Sequence, residues 1–431
     1  MAESDVAALC AELIRFDTTN RGDGDAEGER EAAEFVAGVL SRAGVEPKII
    51  ESAPRRANVL ARIPGRDPAL PALLAHGHLD VVPADAADWS VPPFSGEIRD
   101  GYVWGRGAVD MKDFVAMILA VVSEGLRPRR DIVLAFVADE EDNGLYGAHW
   151  LAAEHAEEFS GCAAAISESG AYTYRVPAAD GRMVSLYPVG AAERGTAHMR
   201  LTARGRAGHG SRRNDENAVT RLIGALGRIT SHRWPVRLTP VVEAFLTRTG
   251  QALGVPVDLS DVDGTLARLG PAASLAENTV RVSTTPTMLQ AGYKVNVIPG
   301  VATAQLDARV LPGTEAEMLD ELDALLGPGV EREFVAHQPA VEAPVDSPWF
   351  TAMADALRAE DPGAVVVPYC LGGGTDAKAF SSLGIDGYGF APLWLPEGFP
   401  YREMAHGVDE RVPVEGLRFG TRVLKHFLRT C

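Results

Sequence analysis

The sequence predicts an α/β protein with a smaller α+β unit of ferredoxin-like type inserted into its larger layer, and three observations lead there. Short, almost continuously apolar runs alternate with helix-period segments up to about Ala191. Beyond that point the strands become half-polar and amphipathic helices follow them. From about Ala364 the buried style of strand returns. A chain of 431 residues also exceeds one ordinary hydrophobic core, so two domains are expected.

Element by element, Asp5 to Phe16 and Glu29 to Ala43 are apolar at helical spacing, and Gly44 suits a C-terminal cap. Asn58 to Ile63, Pro71 to Ala75, Ile132 to Ala138 and Ala163 to Ile166 lack polar alternation, as strands covered on both faces of a parallel sheet do. Met111 to Gly125 lies between them with helical spacing and ends in glycine, which completes a strand–helix alternation. In the inserted unit Thr196 to Arg206 alternates as a strand and Asn217 to Ile229 is an amphipathic helix. Thr279 to Thr285 and Ala302 to Leu311 read as strands, Glu315 to Leu326 as a helix and Val330 to His337 as a last strand. Ala364 to Tyr369, Gly387 to Phe390 and a closing helix from Val414 to Leu428 return to the first layer. The expected division is 1–193 and 340–431 for the larger domain and 194–339 for the insert. The stretch from His232 to Ala276 is too long for a plain connection and predicts extra helices capping the insert.

Composition narrows the function. A net charge of −18 argues against nucleic acid and against an anionic membrane, both of which need a basic footprint. No apolar run approaches the roughly 18 residues of a membrane span. The N-terminus, with Glu3 and Asp5 ahead of Val6, Leu9, Leu13 and Ile14, has no basic region of the kind a secretory signal carries. Cys10, Cys162, Cys370 and Cys431 are scattered, which fits reduced thiols and a cytoplasmic protein. Any metal must then be bound by His, Asp and Glu.

Those residues gather where a layered α/β protein binds ligands, beyond the carboxyl ends of its strands. The run Leu73-Leu74-Ala75-His76-Gly77-His78-Leu79-Asp80 is a buried strand that turns polar at His78. A metal-binding imidazole needs an acceptor on its other nitrogen, and Asp80 is the candidate to supply it. Asp110 follows Gly105-Arg106-Gly107 at the mouth of a helix, Asp139-Glu140-Glu141-Asp142 ends the strand from Ile132, and Glu168 ends the strand from Ala163. Taken singly, each acid is an ordinary cap or loop charge. Three strands delivering His78, Glu140/Glu141 and Glu168 to one sheet edge would repel unless divalent cations compensated them. His406 arrives in a polar turn before the last helix. His76, inside its strand, reads as a packed core histidine, and Trp89, Phe94, Tyr102 and Trp104 read as packing at the sheet edge.

Together these segments resemble the aminoacylase/carboxypeptidase-G family of cocatalytic zinc hydrolases, which includes acetylornithine deacetylase, succinyl-diaminopimelate desuccinylase and the carnosine-type dipeptidases. The likeness runs from about residue 5 to the C-terminus. It rests on Gly77-His78-Leu79-Asp80-Val81-Val82-Pro83, Gly105-Arg106-Gly107 with Asp110-Met111-Lys112, Asp139-Glu140-Glu141, Ser167-Glu168, Gly208-His209-Gly210-Ser211, Asn296-Val297-Ile298-Pro299-Gly300, and His406 with Glu410, in that order. The resemblance implies a three-layer zinc-exopeptidase-like catalytic domain with an inserted ferredoxin-like lid and dimerisation domain, acting as a homodimer. It implies that His78 and Glu168 hold one metal and Glu141 and His406 the other, with Asp110 bridging. The metals would be zinc, or cobalt or manganese. Asp80 would orient His78, and Glu140 would be the general base that takes a proton from metal-activated water. His209 would reach a neighbouring subunit's site and polarise the scissile carbonyl. Asn296 would lie near substrate, and Arg309, with the turn Gly372-Gly373-Gly374-Thr375, would receive a substrate carboxylate.

The expected substrate is therefore an N-acyl-amino acid or a short peptide with a free carboxylate. Glu168 rather than Asp favours acylases and carboxypeptidases over dipeptidases within the resemblance. Asp409 and Asp113 depart from it, standing where Asn and Gly are common. A dipeptidase is the alternative within hydrolysis. A catalytically silent relative binding a peptide or metabolite is the alternative outside it, although no ligand or base position is lost.

Overall fold

The computed structural model describes residues 5–431, so Glu3 lies outside it. Among the described residues ten strands form one mixed sheet. At its centre strand Ala72–His78 runs parallel to Ile132–Val137 on one side and to Cys162–Ser167 on the other. Every residue of the first two strands is buried, because alternate side chains enter two separate cores. Leu73, Ala75, Leu134 and Phe136 face one core with helices Val6–Arg15, Lys112–Ser123 and Val414–Thr430. Leu74, Val133, Ala135 and Val137 face the other, closed by Leu151 and Phe380 from helices Ala148–Glu154 and Ala377–Ser381. This helix–sheet–helix layering explains the uninterrupted apolar runs.

The smaller sheet has the strand order Ser283–Ala291, Val301–Val310, Gly195–Arg204, Val330–Gln338, antiparallel throughout. That is the order of a split βαβ pair, and helices Ala218–Ser231 and Glu315–Leu326 supply the crossovers. Met199, Leu201, Leu222, Leu306 and Leu322 make a core distinct from the other two.

Two features differ from expectation. Helices Pro240–Leu253 and Val262–Leu269 do not cap the small sheet: Val241, Phe245, Leu246, Leu253 and Leu266 belong to the core of the large sheet. Helix Pro240–Leu253 packs on strands Met183–Glu193 and Val365–Leu371, which pair in parallel. The first of these strands leaves no continuous signature in the sequence, because Pro188 and Gly190 interrupt its apolar run. The strand expected at Thr279 to Thr285 lies later, at Ser283–Ala291.

Candidate metal centre

Parallel pairing brings three strand ends to one edge. His78 is the last residue of its strand and pairs with Val137, two residues before the left-handed Asp139 turns the chain into Glu140 and Glu141. Glu168 follows directly on Ser167. The loop 105–110 brings in Asp110, and its glycines are dictated by space. A Cβ on Gly107 would sit 2.9 Å from Val81 Cγ1, at a φ of +86°. Glu410 fastens this loop to the turn bearing His406, accepting from Arg106 at 2.7 Å, from Gly107 N at 3.0 Å and from Val109 N at 2.8 Å.

The outcome is a pair of histidines on either side of one carboxylate. His78 Nε2 lies 3.1 Å from Asp110 Oδ1, and His406 Nε2 lies 3.3 Å from Asp110 Oδ2. His406 Nε2 is also 3.1 Å from Glu141 Oε2. Single ligand atoms of His78, Asp110 and Glu141 fall within 4.8 Å of one another, and so do those of His78, Glu140 and Glu168. His78 Nδ1 meets the backbone carbonyl of Asp80 at 2.9 Å, while the carboxylate of Asp80 stands 3.6 Å away. That carboxylate accepts instead from Glu140 N at 3.1 Å, Glu141 N at 3.2 Å and Asn20 Nδ2 at 2.9 Å. Asp80 thus fixes the imidazole through its main chain and the Glu140–Glu141 turn through its side chain.

The electrostatics fit divalent cations. Burial, followed by the charge of Glu168, pushes the Glu140 carboxyl well above its ordinary range, and burial followed by Asp110 does the same to Glu168. Burial also raises Glu141, whose Oε1 is enclosed without a hydrogen-bond partner among the described residues. Burial would lower His78, but its bond to Asp110 and the charges of Glu140 and Glu168 outweigh that and hold it well above the usual imidazole value. Asp110, then Glu141, raises His406 to about 10. Crowded carboxylates that hold two imidazoles protonated are a site where cations can replace protons. The donors are nitrogen and carboxylate oxygen without thiolate, the set that suits zinc, cobalt or manganese.

Residues that no motif singled out support this centre. Asn20 Nδ2 bridges Asp80 and Asp139, and Arg56 pairs with Asp139 at 2.7 Å and with Glu29 at 3.0 Å, all buried. Their sequence neighbourhood carried no signal, since each acts from a distant segment. His76 packs on Phe380 at 4.8 Å and is driven by burial to about 3, a neutral core histidine.

The substrate-side candidates are dispersed. His209 pairs with Val297 in the short ladder Gly208–His209/Val297–Ile298, and the Asn296 carbonyl accepts from Gly210 N at 2.9 Å. His209 and Asn296 are both exposed, and His209 Nδ1 accepts from the Ser211 hydroxyl at 2.8 Å. Arg309 is engaged by Asp307 at 2.7 Å and bonds Thr196 at 3.2 Å, so its guanidinium already holds a carboxylate of its own chain. Thr375 gives its amide and hydroxyl to the buried Glu193, at 2.9 and 2.6 Å. Gly373 and Gly374 are exposed, and Gly372 lines a cavity of about 240 Å³ that opens beside Asp110 and Glu168. Asp409 binds Ser90 through N and Oγ, at 2.7 and 2.6 Å, which ties the His406 turn to the Trp89 loop.

The sequence profile described as peptidase family M20/M25/M40 matches residues 74–430. The protein named probable carboxypeptidase S-like 2 of Dictyostelium discoideum is 28% identical over 368 residues, 82% of this chain and 70% of that one. The N-fatty-acyl-amino acid synthase/hydrolase PM20D1 of Xenopus tropicalis is 29% identical over 375 residues, covering 83% and 72%. Among solved structures, the M20 family metallo-carboxypeptidase Sso-CP2 from Sulfolobus solfataricus superposes with a TM-score of 0.69 at 18% identity, over 98% of each chain.

Proposed function

Because this chain belongs to peptidase family M20/M25/M40 and is a metallohydrolase of that family, we propose that it hydrolyses the amide bond of N-acyl-amino acids, or of short peptides at a residue with a free carboxylate. The observation that carries this reading is the geometry of Asp110, whose two carboxylate oxygens each face a different histidine at 3.1 and 3.3 Å. A carboxylate so shared is the natural bridge of a two-cation site. His78 and Glu168 would hold one ion and His406 and Glu141 the other. Two ions bound there would polarise the scissile carbonyl and lower the pKa of water. The chain's own groups do the rest. Glu140, beside His78 and Glu168, is near enough either to bind a cation or to take a proton. We assign it the second role: it accepts the proton of the attacking water and delivers it to the leaving amine. Similarity to proteins named for carboxypeptidase and fatty-acyl-amino-acid hydrolysis supports an acyl-amino-acid or C-terminal substrate. The four unpaired cysteines support a reducing, cytoplasmic setting.

One panel tests this reading. Acetyl-, succinyl- and long-chain-acyl-amino acids are assayed beside dipeptides on zinc-, cobalt- and manganese-loaded protein, with and without chelator. Chelator-sensitive release of an amino acid is expected. Cleavage indifferent to chelator, or none with any of the metals, would overturn the assignment. Glu140→Gln should retain both ions and lose turnover by about 10²-fold or more, and loss of an ion in that variant would make Glu140 a ligand instead.

A further inference from the structure

The cavity beside the cluster is lined by Asp110 and Glu168 and by residues of two separate turns. One carries Tyr401 and Arg402; the other is the 274–279 segment that follows the helices packed on the large core. Arg402 is the one cationic side chain among the described residues lining it. Its Nη1 donates to Ser274 O at 3.3 Å and Ser274 Oγ at 3.2 Å, which clips the two turns together. No carboxylate pairs with Arg402 among the described residues, whereas Arg309 is held by Asp307 at 2.7 Å. A guanidinium has five N–H donors, so most of the fork on Arg402 stays available. Tyr172, Tyr369 and Leu275 give the remaining walls an aromatic and apolar face.

From this arrangement we propose that Arg402 receives the free carboxylate of the substrate's amino-acid half, and so sets the enzyme's requirement for an acid at that position. The inference rests on the amide-hydrolase reading above and sharpens it. Two acids, Asp110 and Glu168, and a single guanidinium line the same cavity, which suits a monoanion that also carries a polarised amide. A phosphate dianion would be repelled by Asp110 and Glu168. At about 240 Å³ the space is smaller than a drug-sized pocket of about 300 Å³ or more and fits a compact, amino-acid-sized group. The tyrosines would pack its side chain, so an aromatic or branched apolar residue is favoured. Arg402 is thereby a binding group for the carboxylate and takes no part in moving the proton.

The test compares each acid with its uncharged carboxamide. N-acetyl-phenylalanine, N-acetyl-leucine and glycyl-leucine, each beside its C-terminal amide, are assayed for kcat and KM. The same ligands are titrated by calorimetry into metal-loaded protein carrying Glu140→Gln, so that binding is read without turnover. Wild type should favour the acids. Arg402→Gln should weaken acid binding about 10- to 100-fold through KM, leave the amides unchanged and abolish the preference. Arg402→Lys, which keeps the charge but not the fork, should fall between. Arg309→Gln should leave the preference intact. A preference that survives Arg402→Gln, one that disappears with Arg309→Gln, or no preference in the wild type would each overturn the inference. Unchanged melting and metal content in Arg402→Gln exclude misfolding. Failure of the hydrolase reading shows separately, as absence of turnover in the wild-type panel.

Discussion

Asp113 is a side chain whose chemistry is at odds with its surroundings. It stands in the first turn of helix Lys112–Ser123, 1% exposed, where Oδ1 accepts from Phe114 N at 2.8 Å and Oδ2 has no partner among the described residues. Burial pushes its carboxyl up to about 8, and the charges of Glu410 and Asp110 add to that. The same group ionises near 3.9 in an unfolded chain. Between those values the folded chain binds a proton that the unfolded chain has lost. Its contribution to stability is therefore complete below about pH 4 and falls by about 1.4 kcal/mol per pH unit as pH rises towards 8. Asp113→Asn keeps an acceptor for Phe114 N and removes the titration. Thermal melting of metal-free protein from pH 5 to 8.5 should show the wild type losing stability with rising pH and the variant losing distinctly less. Identical slopes would mean that Asp113 is ionised in the fold. By the same logic His78 was readable in the sequence and Asn20 was not. His78 sits in a local pattern, a buried strand turning polar, whereas Asn20 reaches the centre through Asp80 and Asp139, 60 and 119 residues away.

Among elements, the fastening of loop 105–110 to the turn 405–410 matters most to the site. Arg106 and Glu410 form a buried pair at 2.7 Å with side chains 4% and 0% exposed. Removing the guanidinium leaves Glu410 enclosed and uncompensated, a loss of about 3–5 kcal/mol. Arg106→Leu should therefore lower the denaturant midpoint markedly. It should also weaken metal affinity about 10- to 100-fold, because Asp110 is carried on the loop that Glu410 pins. Metal titration on the folded variant separates the two effects, and unaltered affinity would show that Asp110 is positioned independently of this clasp. The elements themselves were legible where one local rule decides them. Parallel strands buried on both faces are continuous apolar runs, and the residue after each strand must fall at the same sheet edge. What stayed unread depends on partners remote in sequence. The length of the stretch from His232 to Ala276 predicts extra helices there, and Pro240–Leu253 and Val262–Leu269 are those helices. Which layer they would cover is decided by strands Met183–Glu193 and Val365–Leu371, and no periodicity within the helices records that.

For the whole molecule the open matter is what the small sheet does for the catalytic centre. Its helices and strands close on a core of their own, and its exposed strand Ser283–Ala291 and the turn after it leave Met288, Leu289, Tyr293 and Val295 uncovered. Exposed apolar side chains of that size on a unit with a complete core are what a second copy would cover. His209 lies on this unit, its imidazole bonding Ser211 and its backbone bonding Arg212 and the short ladder, with no carboxylate pairing with it among the described residues. If the histidine serves the centre of a neighbouring subunit, neither His209→Ala nor Glu140→Gln homodimers should turn over. A mixture of the two can restore one complete centre in each heterodimer, with Glu140 from one subunit and His209 from the other. Half the dimers in an equal, re-equilibrated mixture are heterodimers, and half their centres are intact, so about a quarter of wild-type activity should return. Sedimentation of the wild type must show a dimer for that count to apply. A monomer with full activity, or a dimeric mixture that stays inactive, would return His209 to the role of a surface residue that orders the turn at Ser211.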